Sequence, residues 1–294
     1  MDKIINNYWQ RIFPTYEAWH IKRIYDYPII TSSGCPFKCC FCQYSSGKFK
    51  WLPRSVNVII EELKYAIKKY DIIQYTIWDS SFNATPEHLK PLCYNLLKNN
   101  IKLPFRCNGI IAAYLNEIDV QMLSQAGCFL IYIGVESLVS DIQKNVSKPI
   151  SFEILKRTVE LCHKHNILVV GSFIIGLPND TFEKTMESYT KALECNLDLQ
   201  LWSFAIPFPH TVLGEYVKKY GKYLRDYRLV PMGKGKNEYY PCFEYEYYPA
   251  AKMLTAFNKI YKETTLQRME LKKKIKSLFG KCIRSTDSHN IVWE

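Results

Sequence analysis

No stretch of the sequence approaches the ~20 uninterrupted apolar residues of a helical membrane span, so none is expected. The opening Met1-Asp2-Lys3 leads into polar and aromatic residues instead of a short apolar targeting run, so no secretory leader is expected. Cysteine is present, but the 11 copies are an odd count without the even framework of a disulfide-stapled secreted chain. These absences point to a reducing, cytoplasmic setting with free thiols. A second Cys-x2-Cys pair is also missing, and the usual two-knuckle zinc site needs one. Basic charge is not scarce: 39 Lys+Arg against 28 Asp+Glu leave +11. The lysines are dispersed among Ile and Asn, which favours a solvated surface over a nucleic-acid groove. The densest basic run, Lys272-Lys273-Lys274-Ile275-Lys276, falls in an expected terminal helix and is a candidate contact for an acidic partner.

The chemistry concentrates in Cys35-Pro36-Phe37-Lys38-Cys39-Cys40-Phe41-Cys42. Its Cys35-x3-Cys39-x2-Cys42 spacing offers three soft thiolates, which suit iron–sulfur or zinc. Three thiolates can hold three irons of a 4Fe–4S cluster and leave the fourth without a protein ligand. A cluster that only carries electrons normally has four cysteines. An open metal position is the mark of a catalytic site, so this spacing argues for an enzyme. Cys40 lies out of register and reads as a small side chain in the barrel wall. Cys93, Cys107, Cys128, Cys162, Cys195, Cys242 and Cys282 are scattered singly and read as buried apolar thiols.

Around this loop the chain alternates strand and helix. Strands are expected at 27–33, 72–78, 104–111, 128–135, 167–175 and 197–206. Helices are expected at 58–70, 86–99, 117–126, 152–165, 181–195 and 213–219, from apolar periodicity, Pro86 near a helix start, Gly127 as a stop and Ser151 as an N-cap. Six such units argue for a parallel sheet with helices outside, short of the eight of a full barrel. The fold class is α/β, a partial TIM-like (β/α)6 barrel with a short aromatic N-terminal extension and a mainly helical C-terminal extension. The expected division is 1–20, 21–220 and 221–294. Function in such folds sits on loops at the strand C-termini, and the cysteine loop follows the first strand.

The cysteine spacing, with Phe41 just before its last member, resembles the signature of radical S-adenosylmethionine (SAM) enzymes. The resemblance implies a 4Fe–4S cluster on Cys35, Cys39 and Cys42, with the open iron chelated by SAM. It implies reductive cleavage of SAM to methionine and a 5′-deoxyadenosyl radical that abstracts hydrogen from a substrate. Further segments extend the likeness over roughly residues 21–220. Arg54-Ser55 with Glu61-Glu62 resembles the lead-in to the first helix. Trp78-Asp79-Ser80-Ser81-Phe82 is similar to an Asp-Asp-x-Phe pattern of the branch related to cobalamin-binding members, with Ser80 in place of the second acid. Ile133-Gly134-Val135-Glu136-Ser137 resembles the Gly-x-Glu-Ser segment of the fourth strand. Gly171 to Thr181 resembles the fifth-strand pattern, with Asn179 where glycine is usual. Pro207-Phe208-Pro209-His210-Thr211 resembles Pro-x-Pro-Gly-Thr, with His210 replacing glycine.

By this resemblance the backbone at Phe41 lies near adenine, Asp79 marks the region that receives the SAM amino group, Glu136 contacts the ribose, and the Gly176-Leu177 edge packs on adenine. Asn108, at the end of the third strand, is a further cofactor candidate. An electron donor such as ferredoxin or flavodoxin is implied, on an unknown substrate, with no membrane and no nucleic acid as partner. No cobalamin-binding domain of the kind many relatives carry before this core is expected from the sequence. The alternative is therefore a cluster- and SAM-binding core subunit that needs a partner such as a cobalamin protein. Residues 1–27 are rich in aromatics, among them Trp9, Phe13, Tyr16 and Trp19, and are expected to brace the barrel. Residues 232–237 read as a turn-rich stretch, and 239–248 as a Tyr-rich strip that either covers the barrel mouth or packs on its flank. Ala250 to about Leu278 reads as one or two helices, and 285–294 as a frayed end.

Overall fold

The computed structural model describes residues 13–14, 23–46, 50–226, 228, 240–279, 284–286 and 290–292. Trp9, Tyr16, Trp19, Tyr239, Cys282 and the turn-rich stretch 232–237 lie outside the described residues. Six strands form one sheet: β1 (Asp26–Ile29), β2 (Gln74–Ile77), β3 (Phe105–Ile110), β4 (Cys128–Glu136), β5 (Leu168–Ile175) and β6 (Leu199–Phe204). They lie side by side in sequence order and every pairing is parallel. The crossovers carry α1 (Val56–Tyr70), α2 (Pro86–Lys98), α3 (Glu117–Gln125), α4 (Phe152–Lys164) and α5 (Phe182–Glu194), and α6 (Val212–Tyr220) follows the last strand. This is the expected partial barrel.

Local chemistry explains the boundaries. Asn116 and Asp119 close a reciprocal capping box at the start of α3. The hydroxyls of Ser151, Thr181 and Thr211 cap α4, α5 and α6 by accepting an amide hydrogen bond from the first turn. Each strand buries alternate residues against the helices, as Ile131, Ile133 and Val135 of β4 and Val169, Phe173 and Ile175 of β5 do. Leu130, Val170 and Leu199 form a second, smaller cluster with Leu271 and Ile275.

Those last two residues belong to α7 (Ala250–Phe279), which is a single helix. It lies along β6, the edge strand. Gln267 Oε1 accepts the hydrogen bond of the Gln200 amide at 3.1 Å, which covers an otherwise open edge. Lys274, from the dense basic run, is committed internally to buried Asp198 at 2.6 Å. At the chain end, Arg284–Thr286 and Asn290–Val292 form a short antiparallel ladder instead of a frayed tail. Among the described residues no helix is long and apolar enough to cross a membrane.

Candidate cluster and cofactor site

The cysteine loop leaves β1 at the C-terminal end of the sheet. Ser32–Ser33 and Leu52–Pro53 pair antiparallel and close its root. Beneath that root the Asp79 carboxylate, from the end of β2, accepts from the Thr31 amide at 2.7 Å, the Thr31 hydroxyl at 2.6 Å and the Ser32 hydroxyl at 2.7 Å. His88 Nε2 lies 2.7 Å from the same Thr31 hydroxyl. Burial lowers the His88 pKa to about 4, so its ring is neutral, and burial raises that of Asp79. Trp51 adds an indole hydrogen bond to Ser81 O at 2.8 Å. Deeper, Arg54 meets Glu62 at 2.6 Å with both side chains buried, and Arg54 also donates to Ile30 O at 2.7 Å.

The tip of the loop is pinned on the far side of the barrel mouth. Cys40 donates its amide to Asn145 O at 3.0 Å and accepts from the Leu213 amide, at the start of α6, at 2.9 Å. Lys38 donates its amide to the Ser147 hydroxyl. The loop therefore spans from β1 and β2 to the segment after β4.

Cys35, Cys39 and Cys42 interact electrostatically: burial pushes the Cys42 thiol up, and neighbouring Cys39 and Cys35 add to it. Among the described residues no three metal-ligating side chains converge as a lone ion requires. The donor set itself, three soft thiolates on one loop, suits the irons of a 4Fe–4S cube. Burial and then Cys39 push the Cys40 pKa to about 12, and Cys40 lies in the core together with Cys39. Cys93, Cys107, Cys128, Cys162, Cys195 and Cys242 are all buried free thiols raised first by burial.

Glu136 ends β4 in the left-handed region, at φ 67°, where the register with β5 shifts. That conformation is costly for a residue with a Cβ, and such strain gathers at functional sites. It turns the carboxylate onto Lys148, whose ammonium lies 2.5 Å from Glu136 Oε1 and 3.1 Å from Gly134 O. A Cβ on Gly134 would stand 2.3 Å from that ammonium and 2.6 Å from Glu136 Oε1, so glycine makes room for the pair. Burial opposes the Lys148 charge, but Glu136, Cys39 and Cys35 hold its pKa above the ordinary lysine value.

Gly176 follows β5 at φ 91°, a conformation that favours glycine. Its amide donates to Asp180 at 2.8 Å, and Tyr245 donates its hydroxyl to Gly176 O at 3.3 Å. Burial raises the Asp180 pKa to about 7. Leu177 is fully buried. Asn179 and His210 occupy left-handed positions at φ 67° and 63°, the backbone that glycine would otherwise supply. The Tyr-rich strip packs beside Gly176: Phe243 and Met253 are the first atoms a Cβ there would meet.

The geometry thus gathers the cysteines, Glu136 and the Gly176 turn at one end of the sheet. Asn108 is half-buried on β3, and Phe41 is half-buried against the core. Asp79 points its carboxylate toward β1. Sequence reasoning missed Lys148, Ser147 and Asn145. No spacing signals them, because a short helix, Ser140–Gln143, and its trailing loop bring them under the cysteines only in three dimensions.

A family model, the Radical SAM superfamily, matches residues 29–192, more than half of the chain. An uncharacterised methyltransferase of Pyrococcus horikoshii is 28% identical over 190 residues, covering 64% of this chain and 41% of its own length. The bacteriochlorophyllide d C-12(1)-methyltransferase of Chlorobaculum tepidum is 27% identical over 199 residues, covering 65% and 42%. Among solved structures, the radical SAM methyltransferase TsrM of Kitasatospora setae superposes with a TM-score of 0.62 at 19% identity, over 71% of this chain and 43% of that one. Coproporphyrinogen III oxidase of Escherichia coli gives 0.55 at 13% identity, over 86% and 56%. The chain spans about two-fifths of the length of the curated relatives named. On the family match and the fold together, the chain belongs to the radical SAM superfamily, enzymes that use a 4Fe–4S cluster and S-adenosylmethionine.

Proposed function

We propose that Cys35, Cys39 and Cys42 hold a 4Fe–4S cluster with one iron open to SAM, and that the chain performs radical chemistry on an organic substrate in the sheet's concave mouth. The observation that carries this reading is the loop geometry: the Cys35 and Cys39 thiols lie beside Ser81 after β2 and Ser147 after β4, at the C-terminal end of the sheet. When bound, the cluster supplies the electron that splits SAM into methionine and a 5′-deoxyadenosyl radical.

The chain's own residues seat and shield that chemistry. Glu136 accepts ribose hydroxyls, and Lys148, paired with it at 2.5 Å, offers a cation to the SAM carboxylate. The Gly176-Leu177 edge, together with the backbone at Phe41, flanks adenine. Asp79 is spent on Thr31 and Ser32, so its part is to brace the cysteine loop, while the backbone beside it borders the mouth. Asn108, half-buried on β3, adds a polar contact.

Ile30 and Trp78, 49% and 52% exposed at the ends of β1 and β2, give the mouth an apolar rim suited to a flat organic substrate. Relatives named for bacteriochlorophyllide, magnesium-protoporphyrin and tryptophan chemistry support that class. A low-potential reductant such as ferredoxin or flavodoxin docks on the basic surface, in the cytoplasm. Residues 21–220 form the catalytic core and 221–294 its cover.

The test is anaerobic. Reconstituted protein with dithionite and SAM should release 5′-deoxyadenosine, and the Cys39→Ala variant should not. Bound SAM without 5′-deoxyadenosine would favour action with a partner such as a cobalamin protein. Failure to assemble a 4Fe–4S cluster would overturn the reading.

A further inference from the structure

Two buried or loop-held hydroxyls stand against two of the three thiols. The Cys35 thiol lies 3.6 Å from the Ser81 hydroxyl, and Ser81 is almost fully buried. The Cys39 thiol lies 3.8 Å from the Ser147 hydroxyl. Both separations suit hydrogen bonds to sulfur, which is larger than oxygen. The two serines come from loops two strands apart in the sheet. Ser81 follows β2, and Ser147 lies in the loop after β4.

In the free protein the thiol itself can donate, as Cys35 does toward Ser81. A cysteine bound to iron has lost that proton and can only accept. The direction must then reverse, and the serine must become the donor. Ser147 is prepared for this role. Its oxygen already accepts the Lys38 amide, so its own proton is free to turn toward Cys39. Trp51 donates to Ser81 O, and the Phe82 amide donates to Gly109 O, so the backbone around Ser81 is fixed and its hydroxyl is held beside Cys35.

We propose that Ser81 and Ser147 donate O–H···S hydrogen bonds to the Cys35 and Cys39 thiolates and raise the reduction potential of the cluster those cysteines hold. Reduction adds negative charge, much of it on sulfur. A donor aimed at sulfur stabilises the reduced form more than the oxidised one, and hydrogen bonds to sulfur are among the determinants of iron–sulfur potentials. The third thiolate, Cys42, belongs to a tight turn in which its own amide donates to Cys39 O. Ser81 and Ser147 are positioning and tuning residues that act through the cysteines. The inference rests on the cluster assignment proposed above.

The experiment is a redox titration of the reconstituted protein, followed by electron paramagnetic resonance, for wild type, Ser81→Ala, Ser147→Ala and the double variant. All four have the same charge, so a shift reports the hydrogen bonds and not a changed electrostatic field. Each single alanine is expected to lower the reduced-to-oxidised ratio at fixed potential several-fold. The double variant should lower it about tenfold or more, which for a one-electron couple is ~59 mV. Ser147→Thr keeps the hydroxyl and should restore the wild-type midpoint. Iron and sulfide contents of each variant separate a tuned cluster from a lost one. If an alanine variant fails to assemble, electron–nuclear double resonance on the reduced wild type decides, because it should show exchangeable protons coupled to the cluster that vanish in D2O. Midpoints unchanged in loaded variants, or no exchangeable coupling in wild type, would overturn the inference and leave the cluster assignment standing. A wild type that takes up no 4Fe–4S cluster would instead overturn both.

Discussion

The buried pair Arg54–Glu62 lies under the root of the cysteine loop, and Arg54→Met is the sharpest perturbation of it. Both side chains are almost fully buried at 2.6 Å separation, and Tyr27 donates its hydroxyl to Glu62 at 3.0 Å. Burial raises the Glu62 pKa from 4.5, against the lowering effect of Arg54. Removing the cation strands a carboxylate in the core, which costs about 3–5 kcal/mol. For a chain of this size that is a fall in melting temperature of roughly 6–20 °C. Arg54→Met also loses the hydrogen bond to Ile30 O. The double variant R54M/E62Q loses it equally but leaves no charge, so the difference between the two isolates the stranded carboxylate.

The sign of the pH dependence follows. A carboxylate whose folded pKa is raised contributes stability below its unfolded value and loses it as pH rises through the folded value. R54M raises the Glu62 pKa further, so its deficit should shrink on acidification from pH ~7 toward ~5, and that of R54M/E62Q should not. Urea unfolding of the cluster-free protein across this range is the assay. A cost of R54M below about 1 kcal/mol, or a double variant no more stable than the single, would refute the reasoning.

Three further outcomes are expected. Asp180 titrates near 7 because it is buried, so its contribution is lost as pH rises from 3.8 through about 7, and Asp180→Asn should flatten that part of the urea-midpoint profile by up to about 1.4 kcal/mol per pH unit. His88, lowered from 6.5 to about 4, carries the opposite sign: its stability is lost as pH falls through that window, and His88→Gln should remove this slope while Asp79, shifted upward, remains. Gly134→Ala places a Cβ 2.3 Å from the flexible Lys148 ammonium, so the fold should survive within about 1 kcal/mol while SAM affinity by equilibrium dialysis falls about tenfold.

Most of the barrel was legible in the sequence because its rules are local. Alternating apolar strands, Ser151 as a cap and Gly127 as a stop placed every element of the sheet layer within a few residues. Asn179 was readable as a glycine substitute because a left-handed turn leaves a position-specific trace, whereas His210, which stands where glycine is usual, showed its left-handed backbone only in the structure. What escaped was tertiary. The role of Arg54 and Glu62 as one buried pair depends on α1 folding back under β1. Asp79 looked like a cofactor group by motif, yet its orientation was set by two hydroxyls, Thr31 and Ser32, that lie nearly fifty residues earlier. Lys148 and Ser147 sit in a loop with no motif, and the absent side chain of Gly134 beside the bulge at Glu136 makes the room that Lys148 fills.

The central claim is a three-cysteine cluster with one iron left for SAM. Mössbauer spectroscopy of the 57Fe-reconstituted protein, with and without SAM, tests it most directly. The account requires a 4Fe–4S spectrum in which SAM sets one iron of four apart, and loss of that cluster in Cys39→Ala. A spectrum that SAM leaves unchanged, or a cluster that survives Cys39→Ala intact, would contradict it.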